Sequence, residues 1–174
     1  VGQHGSNYGT AKFYANKTVE EETCDRFITW GWSDGLPQHY PGFILNSKKS
    51  RCTKATKLYL IEEPLPHQVF TWDVYSEYQK YFDDPKHFVK TLDNDIREDL
   101  VVRLHSATLY SEFQDSQRWH EFDPDVALEF PQRFQRSFFR KSRLVVFSYD
   151  STGFLECLAY NIPVIAFWRG GLDQ

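Results

Sequence analysis

The sequence predicts an α/β protein, a Rossmann-like parallel sheet with helices on both faces. Three observations carry that expectation. Four short runs, 58–61 (LYLI), 100–104 (LVVRL), 144–147 (LVVF) and 164–167 (VIAF), are apolar on both faces, as strands buried in a parallel sheet are. Segments with helical spacing separate them, so the order from residue 58 onward is β-α-β-(β)-α-β-α-β, which calls for right-handed crossovers. The clearest unit lies at 148–167, where a strand end, a tight turn, a helix, a second turn and a strand follow one another. In that unit Ser151 or Thr152 can cap the helix, Phe154, Leu155, Leu158 and Ala159 are expected on one face, Asn161 is a C-cap and Pro163 forbids continuation.

The remaining elements follow in order. Residues 2–9 (GQHGSNYG) hold three glycines and read as a loop. A short helix or irregular segment is expected within 11–23, a strand at 26–30 (RFITW), a turn region at 32–42 and a short strand at 42–45. Residues 46–56 are polar and basic, as in an exposed linker. After the 58–61 strand, Phe70, Val74 and Tyr78 recur at helical spacing, Pro85 is expected to interrupt the helix, and Phe88, Val89 and Leu92 continue it. Residues 107–121 read as a polar, aromatic loop with one helical turn near Arg118 and Trp119. A brief strand is expected at 126–128 and a helix at 131–141, with Phe134 and Phe138 at i, i+4. The 58–61 strand should lie centrally, between the 100–104 and 144–147 strands, as the switch point of the sheet.

Composition narrows the function. A length of 174 residues suits one domain or one domain with part of a second, and 41% hydrophobic residues can fill a core. The net charge of −4 argues against a broad basic surface for nucleic acid. No apolar run approaches the length of a membrane span, and no secretory signal is visible. Cys24, Cys52 and Cys157 are scattered and odd in number, which fits a reducing cytoplasm. Neither CxxC nor HExxH occurs, so no metal site is expected; GxGxxG, Walker A and GxSxG patterns are missing as well. The acidic clusters at Asp73, 83–84 and 93–99 read as solvated faces. With no Met in the chain and a strand near its end, both ends are expected to be cuts in a longer protein.

Ligands of a doubly wound sheet bind at the carboxyl ends of its strands. Arg103 and His105 close one strand; Ser148, Asp150, Ser151 and Thr152 follow another; Trp168 and Arg169 follow the last. A cation or donor pair facing hydroxyls at a helix N-terminus suits a phosphodiester. For Arg103 a structural ion pair at the strand edge is an equal alternative. A lone His105 is more often a satisfied polar residue than a ligand.

Several stretches together resemble transferases of bacterial surface-polysaccharide and O-antigen loci, which look like glycosyltransferases of the GT-B type. They are QHGSNYG (3–9), DRFITWGW (25–32), VVRLH (101–105), RW (118–119) and KSRLVVFSYDSTGFLECLAYNIPVIAFW (141–168). The TxxLE-x-LA-x-N-x-P core of the last block is similar to the donor-site helix of nucleotide-sugar enzymes. QHG is similar to the His-Gly motif of glycerophosphotransferases, and VRLH to a capsule-enzyme segment that contacts donor phosphate. Two departures stand out: Tyr149-Asp150-Ser151-Thr152-Gly153 replaces the usual polar run, and Gly153 removes a side chain that would otherwise touch the donor.

The resemblance implies a donor-binding, carboxyl-terminal GT-B half at 57–174, preceded by a partial segment at 1–56 that carries the QHG loop. It implies transfer from a nucleotide-sugar donor to a glycan acceptor. Ser151 and Thr152 would hold donor phosphate, Arg103 and His105 would neutralise it, Glu156 would bond the ribose, and His4 would be the catalytic base. GT-B enzymes need no bound metal or cofactor. A half exposing its aromatic interface would be inactive alone and would self-associate. The alternatives are a non-catalytic α/β domain and a nucleotide-sugar epimerase.

Overall fold

The structure is a computed structural model that describes residues 1–5, 8, 19–42, 54–63, 75–105, 114–130, 141–149 and 151–167. Asp150, Trp168, Arg169, Cys52 and the 131–140 part of the expected helix lie outside the described residues, as do 43–45 of the expected second strand. Two sheets organise the rest. A small parallel pair joins β1 (Phe27–Thr29) to β2 (His39–Pro41), after a short helix α1 (Val19–Thr23). The main sheet contains β3 (Lys57–Ile61), β4 (Leu100–Arg103), β5 (Ala127–Glu129), β6 (Ser142–Phe147) and β7 (Val164–Ala166). Its order is β5-β4-β3-β6-β7, every neighbouring pair is parallel, and β3 is central, flanked by β4 and β6 as the apolar runs require.

Helices α2 (Tyr75–Thr91), α3 (Asn94–Arg97), α4 (Asp115–Phe122) and α5 (Thr152–Ala159) connect the strands. Alternation along the strands divides the core between two faces. Leu58, Leu60, Val102, Leu104 and Val146 form one face with Phe82 and Val89 of α2 and Trp119 of α4. Tyr59, Val145 and Phe147 form the other with Cys157 of α5 and Ile162. Val145 and Val146 are both fully buried, which is why β6 reads as a continuous apolar run. Each such side chain contributes roughly 1.5–3 kcal/mol on burial.

The structure corrects three local expectations, in α2, around Trp119 and in α5. Pro85 does not interrupt α2, which runs through it from 75 to 91. Proline removes one intrahelical donor, but Pro85 is itself buried, and Phe82 and Val89 anchor the helix on either side. The segment around Trp119 is an eight-residue helix rather than a loop with one turn, because Trp119 is fully buried against the sheet. A strand at 39–41 lies inside the region expected to be a turn, 32–42. The buried face of α5 passes through Phe154 and Cys157, whereas Leu158 is 55% exposed.

Candidate functional site at the carboxyl edge of the sheet

Parallel pairing aligns the strand ends. Ile61 pairs with Arg103 on one side and with Phe147 on the other, and these pair in turn with Glu129 and Ala166. Residues that follow these five positions form the carboxyl edge, where the switch point at β3 opens toward a ligand.

On the β6 side the edge is built by the turn into α5. Ser151 is the N-cap, with extended backbone, and its Oγ accepts a hydrogen bond from the Gly153 amide at 3.2 Å. The Phe154 amide donates to the Ser151 carbonyl at 3.0 Å. Two early amides of the helix are thus satisfied within the turn. Thr152, at the first helical position, brings its hydroxyl and amide to the edge, half-buried. The Tyr149 hydroxyl bonds to Ser151; burial raises its pKa against that bond, with the charges of Glu63 and Glu62 adding to the rise. Gly153 sits against the ring of Phe147: a Cβ there would lie 3.1 Å from Cε1 and Cζ. Its missing side chain therefore faces the sheet, which accounts for glycine by close approach rather than by loss of a donor contact. Glu156 lies one turn further along, half-buried.

On the β4 side, Arg103 is 8% exposed, and its Nη1 donates to Oε1 of Glu129 at the end of β5. The other oxygen of Glu129 accepts from the Tyr59 hydroxyl at 3.0 Å. That hydroxyl is pushed up to about 12 by burial first and by its bond to Glu129 second. The guanidinium is therefore held in a Tyr59–Glu129–Arg103 network. His105 follows two residues later, and burial lowers its pKa, favouring the neutral ring.

Between these flanks stand two carboxyl groups that the motifs did not single out. Glu62 is 3% exposed, and its Oε1 accepts from Trp119 Nε1 at 2.6 Å. Burial pushes its carboxyl up to about 8; the charge of buried Asp115 adds to the rise, and the Trp119 N–H and Arg118 oppose it. Burial alone pushes Glu63 up to about 7. The outer oxygens of both, Oε2, are buried with no hydrogen-bond partner among the described residues. Position was the available signal: Glu62 and Glu63 directly follow the central strand, by the same logic that picked out Ser148 after β6 and His105 after β4.

His4 is grouped elsewhere. Its Nε2 lies 3.5 Å from Oε2 of Glu20, and its ring meets Tyr8 edge-on at 5.4 Å. The loop that carries it is pinned by Gln3, whose Oε1 accepts from Trp32 Nε1 at 2.7 Å and from the Trp30 amide at 3.0 Å. Beside it, buried His39 stands between Asp34 (2.7 Å) and Glu21 (3.3 Å). The structure thus brings Arg103, His105, Ser151, Thr152, Glu62 and Glu63 to one edge and places His4 in the β1–β2 unit. A separate cleft of about 450 Å³, lined by Asp83, Lys86, His87, Lys90 and Phe122, lies on the helix layer and includes none of these residues. Among the described residues no group of three or more His, Cys, Asp or Glu side chains is placed to hold a metal ion.

Across its whole length, residues 1–174, the chain matches the model of a family described as LIC12162 family transferase. No curated protein and no solved structure matches it.

Proposed function

The chain belongs to the LIC12162 family of transferases, and from that premise we propose that it binds a nucleotide-activated sugar at the carboxyl edge of its sheet. The observation that supports this reading is the capped N-terminus of α5 on β6, with Arg103 and His105 closing β4, one strand beyond β3 at the same edge. With the Gly153 and Phe154 amides used within the turn, the hydroxyls of Ser151 and Thr152 and the positive end of the helix favour a phosphate, and a neutral or cationic donor opposite them completes its coordination. In this reading Thr152 and Ser151 hold the diphosphate, Arg103 and His105 stabilise the charge that develops on it, and Glu156 takes a ribose hydroxyl. An acceptor glycan hydroxyl attacks the sugar carbon, the carbon–oxygen bond to the diphosphate breaks, and the hydroxyl proton passes to a general base, the role that the sequence resemblance gives to His4. The product fits the synthesis of a cytoplasmically assembled surface polysaccharide. Among the described residues no helix is long and apolar enough to cross a membrane.

One observation favours a second reading. Arg103 already has a carboxylate partner in Glu129, as expected of a structural residue in a non-catalytic domain. Thermal melting with CMP, CDP, UDP and GDP separates the two readings, because a ligand that binds only the native state raises stability as ln(1 + [L]/Kd). The donor reading expects one base to raise Tm in a concentration-dependent way. No shift with any of the four contradicts it. Product analysis with the matching nucleotide sugar then distinguishes transfer from epimerisation.

A further inference from the structure

We propose that Glu63 is a binding residue of the donor site that acts as a carboxylic acid, donating a hydrogen bond to a phosphate oxygen of a nucleoside diphosphate, so that binding draws a proton from solution. The inference rests on the nucleotide-donor reading above and adds to it the protonation state of the site.

Geometry carries the argument. Glu62 and Glu63 follow the central strand, and the Glu62 amide donates to the Arg103 carbonyl at 3.1 Å, which fixes the pair beside the end of β4. Glu62 turns toward α4, where Trp119 holds one of its oxygens. Glu63 stands within electrostatic reach of Tyr149, whose hydroxyl bonds to the α5 cap Ser151. Because β3 lies between β4 and β6, strand order places Glu63 between the two flanks that would hold the phosphate. Its Oε2 is buried and lacks a hydrogen-bond partner among the described residues, as does that of Glu62, which is 97% buried by its 3% exposure. A buried polar oxygen without a partner is costly, and a ligand group supplies the missing contact.

Charge then decides the form of that contact. The charged and titratable groups that act on the pair are Asp115 and Arg118 of α4, on Glu62, and Tyr149 after β6; Arg103 and His105 lie at the end of the neighbouring strand β4. Arg103 is engaged by Glu129, and Arg118 lies 3.8 Å from Asp115. His105 is held toward its neutral form. The nearby cations are thus occupied by other carboxylates, and burial keeps the proton on Glu63 to about pH 7 and on Glu62 to about pH 8. An ionised Glu63 would repel a phosphate at this edge, whereas a protonated one offers it an O–H donor. The balance is simple: one proton moves from a solvent or buffer acid to the carboxylate and forms its O–H bond, and no bond between heavy atoms changes.

Isothermal titration of the full chain with CDP, UDP and GDP, in two buffers of different ionisation enthalpy at pH 7.5, tests this directly. The expected result is net proton uptake on binding, with Kd weakening roughly tenfold between pH 6.5 and 8.5. The Glu63→Gln variant keeps a donor without a proton to lose. It should retain the affinity seen at pH 6.5, hold it at pH 8.5 and abolish most of the uptake. The wild-type measurement needs no variant, so a Glu63→Gln protein that failed to fold would leave the test standing. Binding without proton uptake, or with proton release, overturns the inference while leaving the donor reading intact. Uptake that survives Glu63→Gln but vanishes in Glu62→Gln also overturns it. No binding of any diphosphate at any pH overturns both.

Discussion

Arg103 shows how one side chain divides the structural and functional readings. Its position after an apolar run was legible in the sequence; its partner was not, because Glu129 lies 26 residues away and meets it only through the β4–β5 register. Removing the guanidinium leaves a half-buried carboxylate without its counterion. Breaking a fully buried pair costs roughly 3–5 kcal/mol; Glu129 keeps some solvent, so Arg103→Ala should lose about 2 kcal/mol of stability in denaturant melts. A double-mutant cycle with Glu129→Gln should recover most of that loss, and additive effects would refute the pairing. If Arg103 also contacts donor phosphate, nucleotide affinity should fall by roughly 1.5–3 kcal/mol in the folded variant, as for a charge-assisted hydrogen bond. Glu62 gives a second prediction, with a definite sign. The folded chain keeps the Glu62 proton to about pH 8, whereas the ordinary carboxyl releases it near 4.5. Between those values the native state binds more protons than the unfolded one, so stability falls as pH rises through that window and levels above it. Glu62→Gln should therefore raise Tm most at pH 8 and above, by the equivalent of at most about 5 kcal/mol, and make little difference near pH 4.5. A variant less stable than wild type at high pH would contradict the burial of an uncompensated carboxyl.

At the level of elements, α5 was the most legible part of the chain and α2 and α4 the least. Ser151 caps α5 as its residue type and spacing suggest, and Asn161 takes a left-handed φ of 57° just after the C-cap Tyr160. Local chemistry decided both, and local chemistry is what a sequence displays. Ser151→Ala should cost about 1 kcal/mol. Asn161→Gly should be close to neutral, whereas Asn161→Val should cost about 1–2 kcal/mol, because a branched side chain is strained at positive φ. Equal stability of the Gly and Val variants would refute the left-handed turn. By contrast, Pro85 and the polar residues around Trp119 argue locally against helices. Tertiary packing prevails there: Phe82, Val89 and Trp119 insert into one core face, and buried contacts outweigh local propensity in most protein helices. Within α5, Cys157 is fully buried against the sheet and Leu158, the next residue, is exposed.

For the molecule as a whole, the four apolar runs were sufficient for the sheet, because strands buried on both faces need a parallel, helix-covered arrangement. The site was legible only in outline. Strand ends are visible as positions in a sequence, so Arg103, His105 and Ser151 could be named, but Glu62 and Glu63 stand out only once their buried oxygens and the packing of α4 beside Glu62 are seen. The relation of the His4 loop to this edge depends on contacts that cross the chain. A nucleotide donor bound at the carboxyl edge of the five-stranded sheet, as proposed, would cover the ends of β3 and β4 and the start of α5. Hydrogen–deuterium exchange of the chain, with and without the nucleotide that stabilises it best, tests this most directly, since bound ligand slows amide exchange where it lies. The account predicts protection at 62–63, 103–105 and 151–156, with little change across 94–99 at the opposite end of the sheet. Protection confined to 83–90 and 122, around the lysine-lined cleft, or to 19–42 alone would contradict it.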